Sequence, residues 1–531
     1  MYFIGEICYY FSDKVYSGLP LLQTGAMRMQ IKMLENEYWW GGVVDLGDKM
    51  PYDAQSECEI VLGQVGEDQS SPLYLSSKGR YLWSSKPFRI SFHAGTITVD
   101  SNYEIELGEG FDTLKGAHKA AANKFFGKSA RIPDTRFFRV PQYNTWIELM
   151  YDQNQKQILE YARSIVDMGM TPGILMIDEG WSEDYGVFDF YPGRFSDPKD
   201  MVRQLHDMGF TVMLWVTPHI SPDSNAFREL RDTDYLIRDK SGEFAIRKWW
   251  NGFSCVLDLS NPEAKHWLQE KLRYVVEEYH VDGFKFDAGD PYMYRDEDQT
   301  HVRQLGLDNT SDYSRFAADY TFNELRAVWN MGGEPLVCRL HDKRHRWDYD
   351  GLNCIIPNTI LQGLLGYYYG CPDMVGGGNY GSFIENGFHL DEELYIRWLE
   401  ASLLCPMLQF SIAPWRVLSP ENYETVKRFL KFRSRYADYF IKLAKNAAEN
   451  HEPIVRHLEY EFPGCGYERE NSMYMLGDRF LVVPMVEKGK TERTVKLPQG
   501  TWRGLDGKEY SGGAELTLVY PLDRLYIFEK V

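Results

Sequence analysis

The eight cysteines, at 8, 58, 255, 338, 354, 371, 405 and 465, are dispersed. None forms the CxxC or zinc-type spacing that a metal or redox site needs. Several fall inside apolar, strand-like runs, where reduced and buried thiols sit. No basic run contradicts the acidic balance. A net charge of −19 over 531 residues excludes the basic surface that nucleic acids and anionic membranes select. The most apolar later segment, 355–371, is broken by Pro357, Asn358, Gln362 and glycines, so it is not a membrane span. The opening MYFIGEICYYFSDK has no basic region leading into a continuous apolar stretch. It predicts no signal peptide, and therefore a cytoplasmic protein. No GxGxxG, and no GxxxxGK followed by Ser or Thr, comes after an early strand, which argues against a nucleotide fold. Internal repeats and low-complexity tracts are absent.

What the chain has in surplus is aromatics, at 15% with 14 Trp and 36 Tyr. Such rings stack against flat, weakly polar ligands such as sugars, as well as filling cores. The length predicts about three domains. Residues 1–130 carry short alternating runs (RMQIKMLE, ECEIVLGQV, FRISFHA, TITVD), which read as a β-sandwich with nothing catalytic in it. The EYWWGG stretch at 37–42 reads as aromatics closing that sandwich, with a sugar-stacking surface as the alternative. From 131 to 447 the pattern changes to strand–helix–strand units. Residues 173–178 (GILMID) are a strand, Asp197-Pro198 opens a helix, and 210–218 (FTVMLWVTP) is the next strand. The unit recurs as a strand at 255–260, a helix opened by Asn261-Pro262 and a strand at 281–287. It recurs again as a helix over roughly 311–329 and a strand at 335–340. Repeated units over about 300 residues predict an α/β fold built on a (β/α)8 TIM barrel, with an open doubly wound sheet as runner-up. Residues 448–531 return to short β-runs and predict a C-terminal all-β domain.

The stretch VDGFKFDAGD at 281–290 is the chemical centre of this reading. Alternation along a strand puts Phe284 and Phe286 on one face, and Lys285 and Asp287 on the other. Burying such charges costs stability unless they are paired, so a Lys and an Asp at a strand's C-terminal end suit chemistry better than packing. Active sites of parallel barrels lie at those ends. The others carry Asp178, Glu179 and Trp181; Trp215; Arg339, His341 and Asp342; and Asp373, with the segment Lys248-Trp249-Trp250-Asn251 nearby. Any one of these aspartates could cap the helix that follows it, but not all of them together. Carboxylates interleaved with Trp, one Lys and one Arg fit glycoside hydrolysis, in which two carboxyl groups flank the scissile bond. No His pair has metal-ligand spacing, and no metal or other cofactor is expected.

At these residues the sequence resembles glycoside hydrolase family 31, and within it the myogenesis-regulating glycosidase branch. The resemblance runs from about residue 70 to the end. It rests on MIDEGWSEDYGVFDF, FTVMLWVTPHI, KWWNGFSCVLDLSNPEA, GFKFDAGD, PDMVGGG and YIRWLEASLLCPMLQFSIAPWR, in that order. It implies a retaining mechanism on terminal α-linked sugars without cofactor, with α-galactosidase the leading activity. α-Glucosidase, α-xylosidase, sulfoquinovosidase or a catalytically silent carbohydrate-binding protein are the alternatives. By the resemblance Asp287 is the nucleophile, Lys285 keeps it ionised, and Asp342 is the acid/base, for which a raised pKa suits proton donation. Arg339, Asp178 and Asp373 match sugar-binding positions, and Trp250 matches an aromatic wall of the pocket. Glu179, Trp181 and Trp215 are carried with them as substrate-binding residues. The acid/base region is one residue shorter than the family pattern, which makes Asp348 and Asp350 rivals to Asp342. Asp290 stands where the branch commonly has Glu. The basic cluster Lys343, Arg344, His345 and Arg346 reads as a solvated loop. The expected partner is a small glycoside or oligosaccharide, with no nucleic acid and no membrane; a homo-oligomer is compatible with this reading.

Overall fold

The computed structural model describes residues 27–531 apart from 64, 65, 386 and 388. Cys8 and the amino-terminal stretch read for a signal peptide lie outside the described residues. Among these residues eight parallel strands form one sheet: β1 (Gln142–Asn144), β2 (Ile174–Ile177), β3 (Thr211–Val216), β4 (Gly283–Phe286), β5 (Asn323–Leu325), β6 (Val337–Arg339), β7 (Tyr369–Cys371) and β8 (Gln409–Phe410). From β1 to β7 each strand pairs with its sequence neighbour, and β8 pairs with β1. The seam between β7 and β8 is closed by Met407 N–H donating to Gly370 C=O and Val375 N–H to Gln409 C=O. The sheet is therefore a barrel, not the open alternative.

Helices follow most strands: α1 (Gln155–Asp167), α2 (Pro198–Asp207), α3 (Pro262–Tyr279), α4 (Asp308–Ala317), α5 (Leu352–Leu364), α6 (Glu392–Ser402) and α7 (Pro420–Arg433). Their starts are written in the sequence. The Asp197 carboxylate accepts from Asp200 N–H at 3.0 Å ahead of Pro198, and the Asn261 side chain accepts from Glu263 N–H at 2.9 Å ahead of Pro262. Each such cap stabilises its helix by about 1 kcal/mol.

Two sequence readings are corrected. The helix read over roughly 311–329 ends at Ala317, and the chain then forms β5, whose Asn323 and Glu324 are fully buried. Glu324 faces the barrel axis and Asn323 the opposite side, where it bonds Pro335 C=O and Val337 N–H, so both faces are polar there and the strand has no apolar alternation. The strand read at 255–260 is not in the barrel. Gly252–Val256 pairs antiparallel with Arg247–Trp249 in a hairpin lying over the mouth between β3 and α3.

No helix follows β5. Instead Val328–Trp329 joins the amino-terminal sandwich, pairing with Gln69 and Ser70. The sandwich therefore docks where a barrel helix would stand. It consists of a four-stranded antiparallel sheet and a five-stranded one containing Gln69–Ser76 and Trp39–Val43. Trp39 and Trp40 are buried in its core, as the closing role requires. At the other end a six-stranded and a two-stranded sheet, spanning Val455 to Lys530, surround a separate core that includes Trp502 and Phe528. No helix of the described residues is long and apolar enough to cross a membrane.

Candidate active site

Strand register sets the site. Trp215 of β3 lies level with Lys285 of β4, and Lys285 lies level with Glu324 of β5. Asp178 directly follows β2. The Lys285 ammonium bridges two carboxylates, at 2.7 Å from Asp178 Oδ2 and 3.8 Å from Asp287 Oδ2. Asp287 also accepts from the Trp215 indole N–H at 3.0 Å, from Ala288 N–H at 2.9 Å and from Arg326 Nε at 3.3 Å. Burial alone would raise the Asp287 carboxyl; Lys285, then Arg326 and Arg339, together with the Trp215 hydrogen bond, overcome it and hold the group well below its ordinary value. The result is an ionised carboxylate at a water-poor strand end. Ala288, immediately after it, has φ +59°, a left-handed conformation that costs a non-glycine residue about 1 kcal/mol or more.

Across the mouth Arg339 organises a second group. Its Nη1 donates to Asp342 Oδ1 and to Asp373 Oδ1, both at 2.8 Å, and its Nε lies 3.4 Å from Glu324. Asp373, also left-handed at φ +62°, accepts from Lys343 N–H at 2.8 Å and Gly378 N–H at 2.9 Å. Its burial raises the carboxyl to about 6 against the pull of Arg339. A methyl group on Gly378 would stand 2.9 Å from an oxygen of both Asp342 and Asp373, so the PDMVGGG loop needs glycine there for space. The Asp342 side chain remains 36% exposed, reachable by a ligand, whereas Arg339 behind it is buried.

The remaining expected residues divide. Trp250, 43% exposed, stands on the hairpin with the Arg326 guanidinium 5.4 Å from its ring centroid. Glu179 is buried behind the mouth, where both its oxygens receive Asn251 Nδ2 at 2.7 Å, latching the hairpin tip to the barrel. Burial, then the neighbouring Asp178 charge, raises Glu179 to about 8. Trp181 does not line the mouth. It is 2% exposed in the main core, with its indole donating to the Trp215 carbonyl at 2.7 Å, and so props β3. Asp348 and Asp350 are exposed; Asp348 pairs with Arg346 at 3.0 Å, and neither contacts Arg339 or Asp373.

Four features escaped the sequence reading. Arg326, which holds Asp290 through two bonds of 2.7 and 2.8 Å, fell within the misread helix. Glu324 did too. Lys343 and His345 are buried rather than solvated: His345 joins Gly376 C=O and Asp391 N–H, while Lys343 lies among Asp45, Asp68 and His341. The ligand atoms of Asp45, Asp68 and His341 lie within 4.8 Å of one another, as a metal site would require. The Lys343 ammonium already stands among them, 3.2 Å from Asp45 and 3.3 Å from Asp68, and supplies the cation. The fourth feature is the sandwich itself, which reaches this site through residues 67–69.

The closed parallel barrel thus carries charge-paired carboxylates at its strand ends, with the exposed Trp250 on the hairpin beside them, the groups that glycoside hydrolysis calls for. The family comparison agrees. Residues 142–337 match the glycosyl hydrolases family 31 TIM-barrel domain, and residues 451–530 match the family's C-terminal domain. The chain belongs to glycoside hydrolase family 31. A mouse (Mus musculus) protein named myogenesis-regulating glycosidase is 33% identical over 443 residues, 81% of this chain and 60% of that protein. Alpha-xylosidase XylQ of Lactiplantibacillus pentosus is 24% identical over 84% of this chain and 61% of its own length. The chain thus spans about three fifths of these curated relatives. The family 31 dextranase of Flavobacterium johnsoniae, solved with glucose, superposes with a TM-score of 0.80 at 19% identity, over 96% of this chain and 67% of that one, which is a likeness of fold.

Proposed function

We propose that this protein is a retaining α-glycosidase, with terminal α-galactosides as its leading substrates. The observation that carries the chemistry is Asp287, ionised, buried at a strand end, and held by Lys285, Arg326 and Trp215. Such a carboxylate attacks the anomeric carbon while Asp342 gives a proton to the departing oxygen; water, activated by Asp342, then releases the sugar. Carboxylates surrounding the mouth favour the positive charge that develops on the ring. Asp178, Asp373 and Trp250 are the sugar-holding groups in this reading.

The choice of galactose rests on the likeness to the myogenesis-regulating branch. The relative named as an α-xylosidase keeps α-xylosides in contention, beside α-glucosides. The seven described cysteines are free thiols, five of them buried, which suits a cytoplasmic location. Purified protein given a panel of aryl α-galactosides, α-glucosides and α-xylosides should hydrolyse one of them, α-galactoside first. Asp287→Asn should abolish that turnover while the chain still folds, as its circular dichroism checks. Equal activity in wild type and a clean preparation of the variant would end the reading.

A further inference from the structure

Three consecutive residues of the sandwich, 67–69, touch both halves of the catalytic mouth. The Glu67 carbonyl accepts from Arg326 Nη1 at 2.7 Å, on the Asp287 side. The Gln69 side-chain amide donates to the Arg326 carbonyl at 2.5 Å and to the Arg339 carbonyl at 3.0 Å. Asp68 accepts the backbone N–H of His341, and its second oxygen lies 3.2 Å from the His341 ring and 3.3 Å from the Lys343 ammonium. Asp45 completes the cluster, 2.8 Å from the same ring and 3.2 Å from the same ammonium. His341 and Lys343 are the two residues on either side of Asp342.

Asp68 and Lys343 are both buried, so they form a built ion-pair cluster and not a chance surface contact. Buried pairs of this sort add little net stability over apolar packing, because desolvation offsets the attraction. Their use is in fixing geometry. Among the described residues Asp342 itself pairs with Arg339, and it lies on a loop that the sandwich holds at both neighbours.

From this geometry we infer that Asp68 and Asp45 of the amino-terminal sandwich are positioning residues for Asp342, holding it through His341 and Lys343 at the place where it exchanges a proton. The inference rests on the glycosidase reading above. In the first half-reaction the bond from Asp287 to the anomeric carbon forms as the bond to the leaving oxygen breaks, and the Asp342 proton goes to that oxygen. A leaving group that departs readily as an anion does not need the proton. A displaced Asp342 therefore harms slow leaving groups selectively, which a general loss of folded protein cannot do.

The test compares Asp68→Asn with wild type, using kcat/KM, which reports the bond-breaking half-reaction, on a phenyl and a 2,4-dinitrophenyl α-glycoside of the preferred sugar. The phenyl substrate should lose at least about tenfold more than the dinitrophenyl one. Asp68→Glu should recover part of that gap. In an Asp342→Ala background Asp68→Asn should widen the gap no further, because the two changes act through one group. If Asp68→Asn does not fold, Asp45→Asn carries the same expectation while leaving the His341 N–H bond in place. Parallel losses on both substrates, or an undiminished further effect without Asp342, would overturn the inference. A wild type inactive on every glycoside would instead overturn the parent reading.

Discussion

Lys285 and Asp287 show how simple alternation on a strand becomes chemistry. With Phe284 and Phe286 packed outward, the two charged side chains must face the barrel axis, where each other, Asp178, Arg326 and the Trp215 indole satisfy them. Glu179 meets the same confinement with no cation of its own, and its carboxyl is raised from 4.5 to about 8. An acid with a raised folded pKa binds a proton the unfolded chain releases. The stability this gives is complete below about 4.5 and is lost as pH rises through about 8. Thermal stability of wild type should therefore fall across that range relative to Glu179→Gln, whose amide does not titrate, by a few kcal/mol. Unfolding temperatures of both proteins over that range check this; matching pH slopes would contradict it.

At the scale of elements, what was legible followed pattern length. The caps of α2 and α3, the strands β2, β3 and β4, and the aspartates at strand ends were readable because each rests on local spacing. The three-residue strands β1 and β5 were not, although β6 was: Gln142, Asn144 and Glu324 face a polar interior, Asn323 is polar on the opposite face, and none gives an apolar signal. That is why Arg326, one residue past β5, was missed. The hairpin was misassigned because its inner face, with Arg247, Trp249 and Ser254, is buried like a barrel strand. Trp249 stacks on His219 at 4.1 Å, anchoring the hairpin and leaving Trp250 on the outer face. If Trp250 walls the sugar pocket, its ring senses whether the position-4 hydroxyl is axial or equatorial. Trp250→Ala should then narrow the kcat/KM ratio between the preferred sugar and its position-4 epimer by roughly five- to tenfold. Equal losses on both epimers would show that Trp250 does not touch the sugar.

On the scale of the whole molecule, the sandwich replaces a barrel helix after β5 and so reaches Arg326, Arg339 and the loop around Asp342. No local motif records this. Asp68 and His341 are 273 residues apart in sequence, and their meeting depends on domain docking. The central claim, that two carboxylates share a double displacement with Asp287 forming the covalent bond, is open to one direct measurement. The protein is incubated with the 5-fluoro glycosyl fluoride of the sugar that the aryl panel selects, then digested and its peptides weighed. The fluorine on the ring slows both half-reactions, and the fluoride leaves without an acid, so the intermediate accumulates. One sugar per chain, bound on the peptide that contains Asp287, is the result the account requires. Label on another carboxylate, or turnover that releases the inverted anomer with no label at all, would contradict it.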